Sequence, residues 1–320
     1  MARSVQKVWD KYTLRAVGTS VPTVLPVFIY GTAWKKERTA GLVYDAITAG
    51  FRAIDTAAQP RHYQEHLVGE GIQRAIAEGI VRREDLYVCQ PPIQTKFSPV
   101  AAQDPENMPY DTEASVTEQV HASVKSSLYN LRPSPDPRTA TATYIDTVVI
   151  HSPLQTPEET QEAWQALECY VPRYIRNLGI SNCSLPVLRA LFNAATVKPA
   201  IVQNRFYPDT SYDSELRGFC LENQIIYQSF WTLTANPTLV RSRPVQQLAA
   251  QAGISPPAAL YTLVMALGNT SVLNGTTNKA RMNEDLAAPL AVSEFIQKRP
   301  ELWARLSGDF QEIVGAYQIM

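Results

Sequence analysis

Short apolar runs rich in β-branched residues alternate along the chain with longer stretches whose apolar residues recur every three or four positions. Residues Tyr144–Ile150 form a nearly continuous apolar run, which is typical of a strand buried on both faces of a sheet. In the stretch Val116–Leu131, Val120, Val124 and Leu128 repeat every four residues, as they do on one face of a helix. This alternation predicts parallel strands joined by crossover helices.

Eight strands can be predicted from this pattern. They are Val27–Gly31, Arg52–Asp55, one strand within Leu86–Lys96, Tyr144–Ile150, Ile175–Ile180, Ala200–Val202, Ile225–Ser229 and Ser271–Leu273. The predicted helices are Glu37–Ala49, Glu65–Glu78, Val116–Leu131, Pro157–Tyr170, Leu185–Ala194, Ser214–Asn223 and two more after Pro244 and Pro256. Eight strands interleaved with helices close a barrel rather than leave an open sheet. The predicted fold class is therefore α/β, a (β/α)8 TIM barrel with residues 1–320 in a single domain.

Two segments interrupt or follow the repeating units. The stretch 132–143 is rich in Pro, Ser and Thr and is predicted to be a surface loop. The stretch 288–320 follows the last predicted strand and is predicted to be a C-terminal extension.

The charge balance narrows the classes of function. The 320 residues carry a formal net charge of −1, so no bulk field attracts nucleic acid or an anionic membrane. No stretch approaches about eighteen uninterrupted apolar residues, and the first residues lack the apolar core of a signal peptide. We therefore expect a cytoplasmic protein that acts on a small molecule and binds neither nucleic acid nor membrane.

Two kinds of site are not indicated. The four cysteines, Cys89, Cys169, Cys183 and Cys220, lack C-x-x-C spacing, so we expect free thiols and no metal site. No G-x-G-x-x-G motif follows a predicted strand, and no G-x-x-x-x-G-K-[ST] loop is present. A nucleotide, if one binds, must be held in another way.

Four polar residues lie where the active site of a barrel is expected, at the C-terminal ends of strands. Asp55, Lys96 and His151 end the second, third and fourth predicted strands, and Tyr63 lies in the loop after the second. Each has an ordinary explanation by itself, such as a helix cap, a packing ring or a solvated loop cation. Together they suit carbonyl reduction, because a nearby ammonium lowers the pKa of a phenol from its usual value near 10. Lys96 would supply that charge, Asp55 would hold Lys96, and His151 would orient the substrate carbonyl.

Seven short motifs around these residues resemble, in chain order, the signature of the aldo-keto reductase family. They are Gly50–Ala57 (GFRAIDTA), Val68–Ile72 (VGEGI), Arg83–Tyr87 (REDLY), Gln94–Phe97 (QTKF), Tyr144–Asp146 (YID), His151–Pro153 (HSP) and Leu178–Asn182 (LGISN). The resemblance extends from about Gly31 to Leu286. It implies a barrel that binds NADPH across its mouth and transfers hydride to a carbonyl carbon while Tyr63 protonates the oxygen. It also implies a monomer.

The resemblance also implies which residues contact the cofactor. Ser181, Asn182 and Gln203 match the residues that bind the nicotinamide carboxamide, and Phe230 matches the ring that stacks on the nicotinamide. The other matches are Gly31 and Thr32 in the first loop, with Thr276 and Arg281 near the adenosine 2′-phosphate.

The phosphate segment departs from the family pattern at two positions. Gly275 stands at the usual lysine position, and Asp285 stands where asparagine is common. Losing one cation would weaken the NADPH preference by about 1–3 kcal/mol, so NADH is possible.

Two further departures affect the catalytic group itself. The loop from Asp55 to Tyr63 is longer than usual, and it contains His62, whose pKa near neutrality makes it an alternative proton donor. Pro91 and Pro92 interrupt the third strand, because proline cannot donate to a ladder. Either the segment bulges and Gln94–Lys96 rejoins the sheet, or the strand ends early and Lys96 is displaced.

The leading hypothesis is an NADPH-dependent reductase of an aldehyde or ketone. Trp34, Tyr207 and Trp231 are candidates for an aromatic substrate pocket at the barrel mouth, which would suit a hydrophobic or aromatic compound. Two alternatives remain open. One is a cofactor-binding barrel with a regulatory role, resembling the channel-associated subunits of this superfamily. The other is a redox-neutral enzyme that catalyses a dehydration or cyclisation.

Overall fold

The structure is a computed structural model that describes residues 11–15, 22–81, 93–136, 138 and 143–315. Two strands come first, β1 (Lys11–Arg15) and β2 (Pro22–Pro26), and they pair in a two-stranded sheet. The sequence pattern did not predict this sheet.

Eight further strands pair in a closed parallel barrel, as predicted. They are β3 (Phe28–Gly31), β4 (Ile54–Asp55), β5 (Ile93–Phe97), β6 (Ile145–Ile150), β7 (Ile175–Ser181), β8 (Ile201–Arg205), β9 (Ile226–Phe230) and β10 (Thr270–Asn274). Neighbours follow chain order, and β10 is hydrogen-bonded to β3. A (β/α)8 barrel is therefore the fold, because a right-handed crossover after each strand brings the chain to the next position in the ring.

The described helices alternate with these strands and then accumulate at the C-terminus. They are α1 (Thr39–Ala49), α2 (Glu65–Ala77), α3 (Val116–Asn130), α4 (Pro157–Glu168), α5 (Leu185–Ala194), α6 (Ser214–Glu222), α7 (Pro237–Val240), α8 (Arg243–Ala252), α9 (Pro256–Met265), α10 (Lys279–Lys298) and α11 (Pro300–Val314). Several starts follow from local chemistry. Ser115 and Thr156 each form a capping box, with Glu118 and Glu159 respectively, and so begin α3 and α4.

Contacts between Cα atoms divide the chain into two compact units. The larger contains residues 29–202, and its core includes every residue of β6 and the apolar face of α2, with Val68 and Ile72 buried. Trp164 of α4 is also buried there and donates from Nε1 to the Val197 carbonyl oxygen at 3.0 Å.

The smaller unit contains residues 26–28 and the chain from residue 203 onward. Its helix α9 is apolar on all sides and almost entirely buried. The ring of Tyr261 on this helix meets the edge of Phe28, with 5.5 Å between ring centroids. Burial of a whole helix explains why its sequence shows no amphipathic repeat.

The structure can be compared with the predictions for the third barrel strand, the loop 132–143 and the C-terminal extension. Lys96 lies within β5, which starts at Ile93, whereas Pro91 and Pro92 lie outside the described residues. The predicted loop 132–143 has no α-helix or strand in its described part, where residue 138 is part of a 3-10 turn. The predicted start of the C-terminal extension, at about residue 288, lies within a helix, because α10 starts at Lys279 and continues through Pro289.

Among the described residues, none of the helices combines the length and the apolar composition that a membrane span requires.

Candidate active site

The larger unit brings the four predicted catalytic residues together at the C-terminal ends of neighbouring strands. Asp55 is the last residue of β4, Lys96 is the penultimate residue of β5, and His151 directly follows β6. Parallel pairing sets their alignment, since Asp55 pairs with Gln94 and Lys96 pairs with Val149. Side chains two residues apart on one strand share a face, so Gln94 and Lys96 both reach Asp55.

A buried ion pair is the centre of this group. Lys96 Nζ donates to both carboxylate oxygens of Asp55 at 2.6 Å and to the carbonyl oxygen of Thr56 at 3.1 Å. The two side chains are 1% and 2% exposed. Gln94 Nε2 adds a bond of 2.7 Å to Asp55 Oδ1. Burial lowers the pKa of Lys96, and the Asp55 carboxylate opposes that shift.

Tyr63 lies against this pair in the loop before α2. Lys96 Nζ is 5.3 Å from the centroid of its ring, and the His151 ring lies edge-on with a centroid distance of 6.0 Å. Burial, together with the charge of Asp55, raises the pKa of Tyr63 above its ordinary value. The net shift is therefore opposite to the expected lowering, because burial of the phenol is the largest cause and the Asp55 charge adds to it.

Glu65 connects the Tyr63 loop to the strand that carries Lys96, a role that the sequence did not reveal. The Glu65 carboxylate accepts bonds from Thr95 Oγ1 at 2.5 Å, Ser127 Oγ at 2.9 Å and Asn130 Nδ2 at 3.0 Å. It is buried, and burial raises its pKa although the three hydrogen bonds oppose the shift. Because Thr95 precedes Lys96 and Glu65 begins α2, this network joins the residue after the Tyr63 loop to β5.

His151 is held through its ring and through its main chain. Its Nδ1 atom is 2.6 Å from Ser98 Oγ, and its main-chain N–H donates to the Phe97 carbonyl oxygen at 2.8 Å. Asn182 Nδ2 donates to the His151 carbonyl oxygen at 2.9 Å. Burial lowers the pKa of His151 to about 3, and the charges of Lys96 and His62 add to the shift. The imidazole is thus neutral over the physiological range.

The other predicted residues of the larger unit differ in accessibility. Thr32 is fully buried and donates from Oγ1 to the Asp55 carbonyl oxygen at 2.9 Å, next to half-exposed Gly31. Its hydroxyl therefore supports the end of β4. Ser181 is buried, whereas Asn182 is exposed, with a left-handed φ of 52°. Of Thr32, Ser181 and Asn182, only Asn182 has an exposed side chain.

Trp34 and His62 form an aromatic pair on the loops that follow β3 and β4. Their ring centroids are 3.8 Å apart, and the main-chain N–H of Trp34 donates to the His62 carbonyl oxygen at 2.8 Å. Trp34 is 65% exposed. The long loop between Asp55 and Tyr63 thus supplies, through His62, a partner for this exposed indole.

The smaller unit holds a second aromatic group, after β8 and β9. Phe230 is half-buried and meets Trp231 edge-on, with ring centroids 6.0 Å apart. Trp231 is 53% exposed, and the Arg205 guanidinium lies 4.8 Å from its ring centroid. Gln203 is buried and donates from Nε2 to Gln228 Oε1 at 2.9 Å. Tyr207 is half-buried.

The predicted phosphate segment lies at the start of α10, also in the smaller unit. Asn278 caps this helix by accepting from the main-chain N–H groups of Ala280 and Arg281, at 2.9 and 3.2 Å. Arg281 is exposed in the first turn, as is Lys279, a cation that the sequence interpretation missed. A helix N-terminus with two cations suits a phosphate. A side chain at Gly275 would meet open space.

The Asp285 carboxylate is hydrogen-bonded to Asn274 inside the protein and is not exposed at the phosphate segment. Its Oδ2 atom accepts from Asn274 Nδ2 at 2.7 Å, and the side chain is buried. Burial raises its pKa to about 6.

Comparison with known proteins identifies the family. A model of the aldo/keto reductase family matches residues 28–298. The chain belongs to the aldo/keto reductase family. The match contains every residue of the four-residue group and the segment around Arg281, and it agrees with the barrel described above.

Several curated relatives that match most of this chain are named as reductases. The NAD(P)H-dependent D-xylose reductase of Pachysolen tannophilus is 26% identical over 301 residues, which cover 82% of this chain and 83% of that protein. The oxidoreductase YtbE of Bacillus subtilis, named as uncharacterized, is 34% identical over 191 residues, covering 59% and 56%. Among solved structures, an aldo-keto reductase of Bombyx mori in complex with NADP has a TM-score of 0.67 at 22% identity, covering 91% and 97%. This likeness supports the fold.

Proposed function

We propose that this protein is an NADPH-dependent reductase of aldehydes or ketones in which Tyr63 is the general acid. The cluster of Tyr63, the buried Lys96–Asp55 ion pair and the neutral imidazole of His151 carries this proposal. It combines a phenol that can donate a proton with an ammonium 5.3 Å from the centroid of the phenol ring. Such a group suits the negative charge that develops on a carbonyl oxygen during reduction.

Tyr63 supplies the proton of the reaction. Bound NADPH would supply the hydride that attacks the carbonyl carbon. Tyr63 gives its hydroxyl proton to the oxygen as charge develops there, and Lys96 stabilises the resulting phenolate until solvent returns a proton. The raised pKa keeps Tyr63 in its donor form to higher pH than an ordinary tyrosine. Alcohol oxidation requires the phenolate, so we expect it to accelerate as pH rises.

The cofactor would be held by the residues that match the family motifs. We propose that Ser181, Asn182 and Gln203 bind the carboxamide and that Phe230 stacks on the nicotinamide. Thr276 and Arg281 would bind the adenosine phosphate, with Lys279 as a second cation near the α10 N-terminus. Exposure of Arg281 and the two cations of the first turn fit an anionic ligand. Because Gly275 lacks the charge usual at its position, NADH remains an alternative donor.

The substrate is expected to be hydrophobic or aromatic. Trp34, Tyr207 and Trp231 are proposed to contact it, since Trp34 and Trp231 expose most of their indole surface. Each indole also has an aromatic neighbour, His62 for Trp34 and Phe230 for Trp231, and exposed apolar groups indicate a binding site where a single exposed ring does not.

Turnover of NADPH and NADH with a panel of aromatic and aliphatic aldehydes and ketones tests the function. Tyr63→Phe should lower kcat by roughly 10²-fold or more, because a positioned proton donor contributes on that scale. Its NADPH affinity, measured by calorimetry, should stay within about twofold of the parent. Tyr129→Phe, which alters an exposed tyrosine on α3, is the matched control and should leave kcat unchanged.

Three results would redirect the proposal. If Tyr63→Phe keeps parental kcat while His62→Asn loses it, His62 is the donor. If the parent binds NADPH tightly but reduces no compound, a regulatory or redox-neutral role replaces reduction. A partner captured by the parent would then favour the regulatory role over dehydration or cyclisation.

A further inference from the structure

Ser98 lies beside the proposed site in a position to which the motif resemblance assigns no role. It directly follows β5, two residues after Lys96, and its side chain is fully buried. Its hydroxyl oxygen lies 2.6 Å from Nδ1 of His151. This contact decides what the other imidazole nitrogen can do, because a neutral imidazole carries one N–H.

The surroundings of Ser98 indicate which partner donates. Its carbonyl oxygen already accepts from Tyr110 Oη at 2.6 Å and from Gln103 Nε2 at 3.1 Å. Within the described residues, the Ser98 hydroxyl has His151 Nδ1 as its hydrogen-bond partner and no second acceptor. If His151 donated from Nδ1, the Ser98 proton would be buried without an acceptor, which folded proteins rarely tolerate. If Ser98 donates, one bond satisfies both groups.

The charge state of His151 is consistent with this direction. The groups that face the ring are Lys96, His62, the Tyr63 ring and the Ser98 hydroxyl. None of them is an anion, so nothing on the ring favours a second proton. Burial and the nearby cations lower the pKa of His151 to about 3. The ring is therefore neutral, and a proton absent from Nδ1 must be on Nε2.

We propose that Ser98 is a positioning residue that holds His151 as the Nε2–H tautomer, so that Nε2 donates a hydrogen bond to the substrate carbonyl oxygen. The proposal rests on the reductase function proposed above. The opposite tautomer would present a lone pair from Nε2 to an oxygen that gains negative charge. Ser98 thereby selects a hydrogen-bond acceptor, such as an aldehyde or ketone oxygen, as the group that His151 orients.

The tautomer can be measured directly in the full-length protein. The chain has four histidines, His62, His66, His121 and His151, so the imidazole region of a long-range ¹H–¹⁵N spectrum is simple. A His151→Gln variant assigns the His151 signals by their disappearance. We expect the parent to show Nε2–H at His151 from pH 5 to pH 8, with no titration in that range.

Variants of Ser98 then connect the tautomer with the reaction. Ser98→Ala should mix the two tautomers and lower kcat with the best carbonyl substrate by about 10-fold to 100-fold, the scale of one hydrogen bond to a developing charge. Ser98→Thr keeps the hydroxyl and should restore the Nε2–H tautomer and most of kcat. Ser307→Ala, on α11, removes a serine hydroxyl elsewhere and should change neither the His151 signals nor kcat.

Two results would overturn the assignment. One is an Nδ1–H tautomer or an imidazolium at His151 in the parent, which decides the question even if Ser98→Ala fails to fold. The other is a folded Ser98→Ala protein with parental His151 signals and parental kcat. A parent with the Nε2–H tautomer but no carbonyl turnover would refute the reductase function, while the tautomer measurements would still decide what Ser98 does to His151.

Discussion

The buried ion pair between Lys96 and Asp55 gives the most direct test of how this site is built. We consider three variants: Asp55→Asn, Lys96→Met and the double variant. Asp55→Asn keeps the ammonium in a position 1% exposed but replaces its carboxylate with a neutral amide. Lys96→Met keeps the carboxylate and leaves the Gln94 amide as a donor to it at 2.7 Å. The double variant contains neither charge.

The magnitude follows from the cost of an uncompensated buried charge. Removing one partner of a buried ion pair typically costs about 3–5 kcal/mol, whereas replacing both with neutral groups often costs much less. Both Lys96–Asp55 bonds are 2.6 Å long and both side chains are excluded from water, so we expect each single variant to lose about 3–5 kcal/mol. For a chain of this size that corresponds to a fall in Tm of roughly 4–8 °C. The double variant should recover at least about 2 kcal/mol of the summed loss.

Activity should not follow stability across this cycle. Urea unfolding monitored by circular dichroism gives the free energies, and NADPH oxidation with a carbonyl substrate gives kcat. Lys96→Met and the double variant both lack the cation beside Tyr63, so each should lose roughly 10²-fold in kcat although the double variant is more stable. A recovery of stability without recovery of kcat separates the electrostatic role of Lys96 from its structural role.

The reasoning would be refuted by additive stability losses, because additivity would mean that the two charges do not compensate each other in the folded state. It would also be refuted if Lys96→Met unfolded at the parental urea concentration and retained parental kcat.

Two further predictions concern packing and pH. A Cβ at Gly69 of α2 would lie 1.9 Å from the Asn130 carbonyl oxygen, so Gly69→Ala should cost about 3 kcal/mol in urea unfolding. Gly308→Ala in α11 meets nothing within 4 Å and should instead stabilise by about 0.5–1 kcal/mol; equal effects at the two glycines would contradict this packing. Burial raises the Asp285 pKa from 3.8 to about 6, so the folded protein binds a proton at Asp285 more tightly than the unfolded chain does. The free energy of unfolding therefore falls as pH rises from about 4 through 6. Asp285→Asn should therefore stabilise the protein by about 2–3 kcal/mol at pH 7 and by little below pH 4, and equal gains at both values would show that ionisation is not the cause.

Much of the fold could be predicted because its repeating unit has a strong local signal. The α5 boundaries Leu185–Ala194 coincide with the prediction, since an apolar repeat begins and ends there between strands. The β1–β2 sheet was missed, because its two strands are only five residues long and precede the alternating strand–helix pattern that marks the barrel. Helix α10 was not predicted as a helix: it starts at Lys279, before the predicted extension, and it contains Pro289, a residue that by itself disfavours a helix interior.

The candidate site was predictable to the level of residue identity. Asp55, Tyr63, Lys96 and His151 were recognisable because residues at the ends of parallel strands meet at one edge of a barrel, and because their motifs resemble those of a known family. Gln94, Glu65 and Ser98 were not recognised, since a polar side chain at a strand end has no sequence signal that names its partner.

The sequence by itself determined the order of strands and helices, the barrel they predict and the candidate catalytic residues. These properties depend on local periodicity and on motif spacing, which are written along the chain. The tertiary structure alone decided that burial, together with the charge of Asp55, raises the pKa of Tyr63 instead of lowering it. It also decided that Ser98 reaches Nδ1 of His151. Desolvation and hydrogen bonding depend on distances between residues far apart in sequence, and folding is what sets those distances.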